Sequence, residues 1–264
     1  MTQSDWDPNR TAEYYDDFGE REWTRFEQGV TPPAGLDIHI RFLERFVRPG
    51  DRVLDAGAGP GRFSLELVRL GAEVVALDIS PGQLEQLRAR LPEIETHLGD
   101  VTDLSRFAHG SFDVTVCYGG PLSYVLDRGE DTLAELVRVT RSGGHVLVSV
   151  MSAIGTIVHY LAVLFDLARR DGVEHQLEIV RTGFLPEGPD YGHLALKMYR
   201  WNELEAMLSR HGEVVAAAAS GLLPDLRPEE PELQELVRRV EAELCEEPGA
   251  ISSGQHIVAA VRLA

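Results

Sequence analysis

The amino-acid sequence predicts an α/β fold, with a doubly wound parallel sheet and helices on both of its faces. Between residues 52 and 150, apolar segments of strand length alternate with segments of helical periodicity, which is typical of a parallel sheet with crossover helices. The first strand leads through a glycine-rich turn into a helix. Several later strands end in acidic residues, and in such sheets ligands bind at the carboxyl ends of the strands.

Each predicted element follows from its own residues. A helix over 36–47 has apolar residues at helical spacing and ends at Pro49-Gly50. Short apolar runs predict strands at 52–56, 73–78, 94–98, 113–118 and 144–150. The segments between them predict helices at 62–70, 81–91 and 130–140. Beyond these lie an apolar helix at 154–167, a stretch with Gly and Pro at 171–198, helices at 201–211 and 230–246, and strands at 213–219 and 256–263.

The glycine-rich turn is the most informative segment. Residues 53–64 read VLDAGAGPGRFS, with glycines at Gly57, Gly59 and Gly61. Glycine allows a tight turn and lets a ligand approach the main chain, and N–H groups at the start of the next helix point at that ligand. The dinucleotide fingerprint would place its third glycine where Arg62 stands, and a P-loop would end in Gly-Lys-Ser/Thr. The turn therefore indicates a nucleotide-like cofactor that neither fingerprint describes.

Further landmarks follow at the ends of later strands. Asp78 ends the second strand, where a carboxylate can accept hydrogen bonds from both hydroxyls of a ribose. Ser80-Pro81 then starts a helix as its N-cap and first residue. The third strand runs into Gly99-Asp100, and the fourth opens into the small-residue loop Gly119-Gly120-Pro121. We expect all of these positions to meet at the sheet edge that carries the glycine turn.

The order and spacing of these landmarks resemble the class I S-adenosylmethionine (SAM) methyltransferases, in particular small-molecule methyltransferases of types 11 and 25. The resemblance covers residues 40–150. It implies a Rossmann-like sheet of seven strands, mostly parallel, with an antiparallel last strand. It also implies an N-terminal cap segment at 1–35 and a methyltransferase domain at 36–264, in which residues 151–198 form a cap or substrate insertion after the fifth strand.

The resemblance implies SAM as the cofactor and S-adenosylhomocysteine as the product. In this family the residue at the position of Asp100 reaches the adenine amino group, and the loop after Tyr118 lies beside the reactive methyl. Tyr14 and Tyr15 resemble the aromatic N-terminal segment that closes over SAM in many such enzymes. The cofactor-binding residues expected on this basis are Tyr15, Asp55, Gly57, Ala58, Gly59, Gly61, Asp78, Ile79, Gly99, Asp100, Val101, Cys117, Tyr118 and Gly119.

The expected methyl acceptor is a small molecule with a nucleophilic oxygen or nitrogen, and carbon ranks below these. An oxygen acceptor needs a nearby base such as histidine, which makes His159 and His193 the candidates; the sequence assigns no catalytic residue beyond them. The loop at 119–122 departs from the Asn-Pro-Pro-Tyr signature of nucleobase and glutamine amide N-methyltransferases. Two alternatives stay open: an NAD(P)-binding Rossmann oxidoreductase, and a catalytically inert SAM-binding or interaction module.

The composition limits the class of partner. The chain has 43 acidic and 25 basic residues and a net charge of -18, which argues against a nucleic-acid partner. It shows neither a signal peptide nor a run of about 18 apolar residues, so we expect a cytoplasmic protein without a membrane partner. Its two cysteines and nine histidines lack metal-ligand spacing, so we expect no metal. The expected assembly is a monomer or a homodimer.

Overall fold

The computed structural model describes residues 6–24, 33–188, 193–224 and 228–264. A seven-stranded sheet forms its centre, with the strand order β3-β2-β1-β4-β5-β9-β8. These strands are β1 (Arg52–Ala56), β2 (Glu73–Asp78), β3 (Glu95–Leu98), β4 (Phe112–Cys117), β5 (Thr140–Met151), β8 (Gly212–Ser220) and β9 (His256–Leu263). A separate two-stranded ribbon pairs β6 (Phe184–Leu185) with β7 (Leu196–Lys197).

The direction of the strands confirms the predicted sheet. Strands β1 to β5 are parallel. Strand β9 is antiparallel to both of its neighbours and lies between β5 and β8, so the edge of the sheet is β8. The strand order reverses at β1, which has β2 on one side and β4 on the other. The carboxyl ends of these strands therefore border the crevice in which open α/β sheets bind ligands.

Helices cover both faces of the sheet. They are α1 (Pro8–Phe18), α2 (Arg21–Thr24), α3 (Pro33–Phe46), α4 (Arg62–Arg69), α5 (Pro81–Arg90), α6 (Pro121–Tyr124), α7 (Gly129–Val139), α8 (Ala153–His159), α9 (Leu161–Asp171), α10 (Val173–Thr182), α11 (Trp201–Leu208) and α12 (Pro231–Leu244). A 3-10 turn at Leu126–Arg128 joins α6 to α7. None of these helices is long and apolar enough to cross a membrane.

Alternation along each strand divides the core into two layers. Val53 and Val74 pack with apolar residues of α3 and α4 on one face. Leu54 and Leu77 pack with apolar residues of α7 and α11 on the other face. Because successive strand residues point to opposite faces, adjacent apolar residues such as Val53 and Leu54 of β1 supply both layers.

The structure differs from the sequence prediction after β5. The predicted helix at 154–167 is wrong as a single element, because the chain breaks at Tyr160 into α8 and α9. The apolar periodicity continues through the break and therefore does not reveal it. Helix α10 and the ribbon lie in the stretch at 171–198, where the sequence showed only Gly and Pro punctuation. In this insertion, residues 189–192 lie outside the described residues, as do residues 1–5 and 25–32 of the predicted N-terminal cap.

Candidate cofactor site

A cavity of about 790 Å³, open solvent included, lies at the carboxyl ends of β1, β2 and β4. Its walls contain most of the predicted cofactor residues: Tyr15, Gly57, Ala58, Gly59, Asp78, Ile79, Asp100, Val101, Tyr118 and Gly119. The other four predicted residues, Asp55, Gly61, Gly99 and Cys117, are not part of these walls. The structure thus brings together residues from five segments that are remote in sequence.

Two glycines of the turn are required by close packing. Gly57 has a φ of +83°, and a Cβ at this position would lie 2.4 Å from Cγ of Pro121. Gly61 has a φ of +93°, and its Cβ would lie 3.0 Å from Cγ of Leu87. Positive φ already disfavours other residues. The turn therefore brings the main chain against α6 on one side and α5 on the other, closer than a side chain would allow.

The carboxylate of Asp78 holds the turn and lines the cavity at the same time. Its Oδ2 accepts a hydrogen bond of 2.7 Å from the N–H of Gly59, and its Oδ1 accepts one of 2.9 Å from the N–H of Ser80. Asp78 is buried, and this burial raises the pKa of its carboxyl, while the backbone hydrogen bonds oppose the shift. A carboxylate has about four acceptor positions, so Asp78 can accept further hydrogen bonds from a ligand.

Asp55 and Cys117 are buried next to the site and do not line the cavity. The side chain of Asp55 is fully buried, and its Oδ2 accepts a 2.6 Å hydrogen bond from the hydroxyl of Ser64. Burial raises the pKa of this carboxyl to about 7, and the nearby charge of Asp78 adds to the shift. Burial also raises the pKa of the Cys117 thiol to about 12. Cys117 is therefore a neutral, buried thiol at neutral pH.

The hydroxyl of Tyr118 and Oε1 of Gln83 are buried in the cavity walls and have no hydrogen-bond partner among the described residues. The ring of Tyr118 packs edge-on against His39 and Phe63, with centroid distances of 5.0 and 5.1 Å. Buried polar atoms normally have partners. Together with the carboxylates, these atoms form a donor and acceptor set that suits a polar ligand with hydroxyl and amino groups.

The N-terminal helix docks on this site through contacts that the sequence did not predict. The indole N–H of Trp6 donates a 3.0 Å hydrogen bond to Oδ2 of Asp100. Oδ1 of Asp16 accepts hydrogen bonds from the hydroxyl of Ser80 at 2.5 Å and from the N–H of Gly82 at 2.9 Å. A carboxylate at the N-terminus of α5 also interacts favourably with the helix dipole. Residues 6–18 thus form one wall of the cavity.

A second contact fixes the end of this N-terminal segment. The ring of Trp23 contacts two guanidinium groups, with its centroid 3.9 Å from that of Arg62 and 4.2 Å from that of Arg90. The guanidinium of Arg62 also donates a 2.5 Å hydrogen bond to the carbonyl of Trp23. Because Arg62 lines the cavity, this stack joins the residue after the glycine turn directly to the N-terminal segment.

A second, outer cavity adjoins the first. The two cavities share wall residues Trp6, Thr11 and Tyr124. Residues 187–188 and 194–195 of the insertion also line the outer cavity. An ion pair between Arg10 and Glu187 joins the N-terminal helix to the insertion at this point.

The two candidate catalytic histidines do not line these cavities. His159 is half-buried near the end of α8, and neither it nor His193 is among the residues that line the two cavities. Nδ1 of His193 lies 2.6 Å from the carbonyl of Leu194, which is part of the outer wall. Burial lowers the pKa of His193. Within the described ranges, no group of three potential metal ligands occurs.

Comparison with known proteins decides the family. A family model described as a methyltransferase domain matches residues 53–144. The magnesium-protoporphyrin O-methyltransferase of Rhodobacter capsulatus is 30% identical over 181 residues, which cover 62% of this chain and 80% of that relative. The chain belongs to the class I SAM-dependent methyltransferases. This membership confirms SAM as the expected cofactor and excludes the alternative of a nicotinamide-dependent oxidoreductase.

Other methyltransferases match a shorter part of this chain. The demethylmenaquinone methyltransferase of Beutenbergia cavernae is 42% identical over 106 residues, so the match spans less than half of either chain: 40% of this one and 42% of that one. Among solved structures, a SAM-dependent methyltransferase from Thermotoga maritima aligns with a TM-score of 0.62 at 15% identity, covering 95% of this chain and 98% of that one. One from Methanosarcina mazei has a TM-score of 0.59 at 18% identity, covering 84% and 96%. These structures confirm the fold.

Proposed function

We propose that this methyltransferase transfers the methyl group of SAM to an oxygen or nitrogen atom of a small molecule. The observation that carries the proposal is the cavity in which the glycine turn faces Asp78 and Asp100 at the strand ends. The O-methyltransferase from Rhodobacter capsulatus, which this chain covers over most of its length, supports a small-molecule acceptor.

The two carboxylates are proposed to select the adenosine part of the cofactor. Asp78 would accept hydrogen bonds from the ribose hydroxyls with the acceptor positions that Gly59 and Ser80 leave available. Asp100 would accept a hydrogen bond from the adenine amino group. Its oxygens also accept hydrogen bonds from the indole N–H of Trp6 and the backbone N–H of Thr102. Trp6 would therefore lie next to the adenine.

The remaining predicted residues divide between contact and support. Ile79 and Val101 flank the two carboxylates and would pack against the adenine ring. The turn from Gly57 to Gly59 would approach the methionine part of the cofactor, and Tyr118 and Gly119 would lie beside the methyl group. Four predicted residues, which are absent from the cavity walls, would act through packing: Asp55, Gly61, Gly99 and Cys117.

The acceptor is proposed to bind in the outer cavity, between the N-terminal helix and the insertion. SAM supplies an electrophilic methyl whose leaving group departs uncharged. The protein therefore has to hold the nucleophile about 3–3.5 Å from the methyl and in line with it, and to exclude water. His193 is the better placed of the two candidate bases, because Leu194 lines this cavity. In this view residues 1–35 and 151–198 act as caps on the domain formed by the rest of the chain.

The test incubates the protein with labelled SAM and a panel of phenols, carboxylic acids and amines. Methyl transfer is measured both as label in the acceptor and as formation of S-adenosylhomocysteine. For at least one member of the panel, we expect labelled acceptor and S-adenosylhomocysteine in equal amounts. SAM and S-adenosylhomocysteine should also raise the melting temperature, whereas NAD(H) should not. Cofactor binding without transfer to any acceptor would contradict the proposal and favour an inert SAM-binding module.

A further inference from the structure

Large apolar side chains face solvent on the three consecutive helices α8, α9 and α10. They include three pairs at a spacing of four residues: Ile154 and Val158, Leu161 and Phe165, Val173 and Leu177. Tyr160 is exposed between α8 and α9. We call these seven residues the α8–α10 apolar surface. Single exposed apolar residues are common, but a group of this size on consecutive helices indicates an interaction site.

The spacing places the two exposed residues of each pair on the same side of their helix. Residues four apart lie on the same side of a helix, so each pair forms a stripe that points away from the protein. The side of α9 and α10 that packs inward has its own apolar residues, Leu167 and Ile179. Helices that are apolar on two sides are normally buried on both. The outward side is therefore suited to a partner.

The charge distribution around the α8–α10 apolar surface favours a second copy of this chain as the partner. The chain has a net charge of -18, yet residues 153–165 contain no Asp, Glu, Lys or Arg. At the border of this segment, Arg169 pairs with Asp166 and Arg170 pairs with Asp171. On α10, Arg181 pairs with Glu174 and Glu178, so residues 166–182 have a net charge of only -1. Two strongly acidic copies repel each other over most of their surface, and this repulsion is weakest on a face with so little net charge.

A membrane surface is the less suitable partner. Helices that bind lipid surfaces have several Lys or Arg residues on their polar side, which attract anionic headgroups. The α8–α10 segment has no lysine, and two of its arginines, Arg169 and Arg170, form the ion pairs described above. The large negative charge of the whole chain would also repel an anionic bilayer.

We propose that the α8–α10 apolar surface is the interface of a homodimer, in which the surface of one copy packs against the same surface of the other. Such an arrangement is the usual two-fold, self-complementary interface of soluble homodimers. The seven side chains, each more than a third exposed, present an area on the order of 650 Å², near the ~800 Å² that each partner gives to a stable interface.

The experiment is sedimentation equilibrium of the full chain, from low to high micromolar concentration, for the wild type and two surface variants. The variants are Phe165→Glu on α9 and Val173→Glu on α10. The matched control is Leu236→Glu on α12, because Leu236 and Phe165 are both 54% exposed. Circular dichroism and thermal melting check that each variant folds, and a vesicle pelleting assay with phosphatidylglycerol and phosphatidylethanolamine tests the membrane.

The expected result is a wild-type dimer whose dissociation constant rises at least tenfold in Phe165→Glu and Val173→Glu and stays unchanged in Leu236→Glu. A wild type that remains monomeric at all concentrations would overturn the proposal. So would a dimer that only the Leu236→Glu variant weakens, or a monomer that pellets with the vesicles. None of these outcomes depends on methyl transfer, so the proposal stands or fails independently of the proposed function.

Discussion

The cofactor region at residues 52–118 and the insertion at residues 151–198 differ in how many large apolar side chains they expose to solvent. In the first region, only Val68 and Leu98 are large apolar residues that are well exposed, whereas eight such residues are exposed among the described residues of the insertion. Buried carboxylates in the first region have hydrogen-bond partners, as Asp55 has in Ser64 and Asp78 has in Gly59. In the insertion, the buried amide of Gln176 has no partner among the described residues.

This difference indicates that different contacts stabilise the two regions. The cofactor region is completed by contacts within the chain, so substitutions there should change the free energy of unfolding and the affinity for SAM. The insertion has apolar surface that only a partner can bury. Substitutions on its outer side should therefore change association and leave unfolding and cofactor binding unaltered.

The largest effect in the cofactor region is expected from Asp55→Asn, through the pH dependence of unfolding. Burial raises the pKa of Asp55 from 3.8 to about 7. Its contribution to stability is therefore complete below about pH 4 and is lost as the pH rises through about 7. That difference in pKa corresponds to roughly 4 kcal/mol.

The measurement is urea denaturation between about pH 4 and pH 8. Relative to Asp55→Asn, the wild type should lose stability as the pH rises. The exposed carboxylate of Asp17 gives a control variant, Asp17→Asn, which should follow the wild type. If Asp55→Asn follows the wild type as well, the buried carboxylate does not have the environment described here.

The next largest effect is expected from Gly57→Ala, compared with Gly50→Ala. Both glycines have positive φ, at +83° and +86°, so each alanine costs about 1–2 kcal/mol. Only at Gly57 does the new Cβ meet Pro121, which adds about 1–3 kcal/mol, because nothing lies within 4 Å of a Cβ at Gly50. Urea denaturation should show the larger loss for Gly57→Ala, and equal losses would exclude the close approach of Pro121.

A smaller effect is expected from Asp16→Ala, which removes the carboxylate that joins α1 to the start of α5. The N-terminal wall of the cavity should then be held less firmly. We expect the affinity for SAM to fall by about 1 kcal/mol, as for a partly exposed charged hydrogen bond. Isothermal titration calorimetry measures this, with Asp17→Ala as the neighbouring control. Equal affinities for the two variants would show that the docking of α1 does not contribute to cofactor binding.

An effect of similar size, and the only stabilising one, is expected from Gln176→Leu. The amide of Gln176 is buried on α10, and none of the described residues bonds to it. Replacing an unpaired buried polar group by an apolar one of similar size should raise the free energy of unfolding by about 1 kcal/mol. Gln234→Leu, on the exposed side of α12, is the control. Destabilisation by Gln176→Leu would mean that the amide has a partner.

The same two regions differ in how much the sequence could predict. Strands β1 and β2 and the glycine turn were predicted with the observed bounds, because apolar runs and glycine spacing are local signals. Asp78 and Asp100 were predicted to lie near the turn, since the carboxyl ends of parallel strands meet at one edge. Both carboxylates do line the cavity.

The contacts of the N-terminal helix could not be predicted in this way. Trp6 meets Asp100 across 94 residues of chain, and Asp16 meets Ser80 across 64. No local pattern encodes such a pair. The N-cap signal at Ser80-Pro81 indicated a helix start, but nothing showed that a second carboxylate would bind there. The break at Tyr160 was missed for the opposite reason, because the apolar pattern on both sides of it is too regular.

The most direct test of the central claim is calorimetric titration of SAM and NADH into the wild type, Asp78→Ala and Asp103→Ala. Asp103 is an exposed carboxylate and serves as the control. The account predicts that SAM binds the wild type and Asp103→Ala equally well, that Asp78→Ala binds SAM about 1–3 kcal/mol more weakly, and that NADH does not bind. Unchanged SAM affinity in Asp78→Ala would contradict the role given to Asp78, and binding of NADH without SAM would contradict the assignment of the cavity.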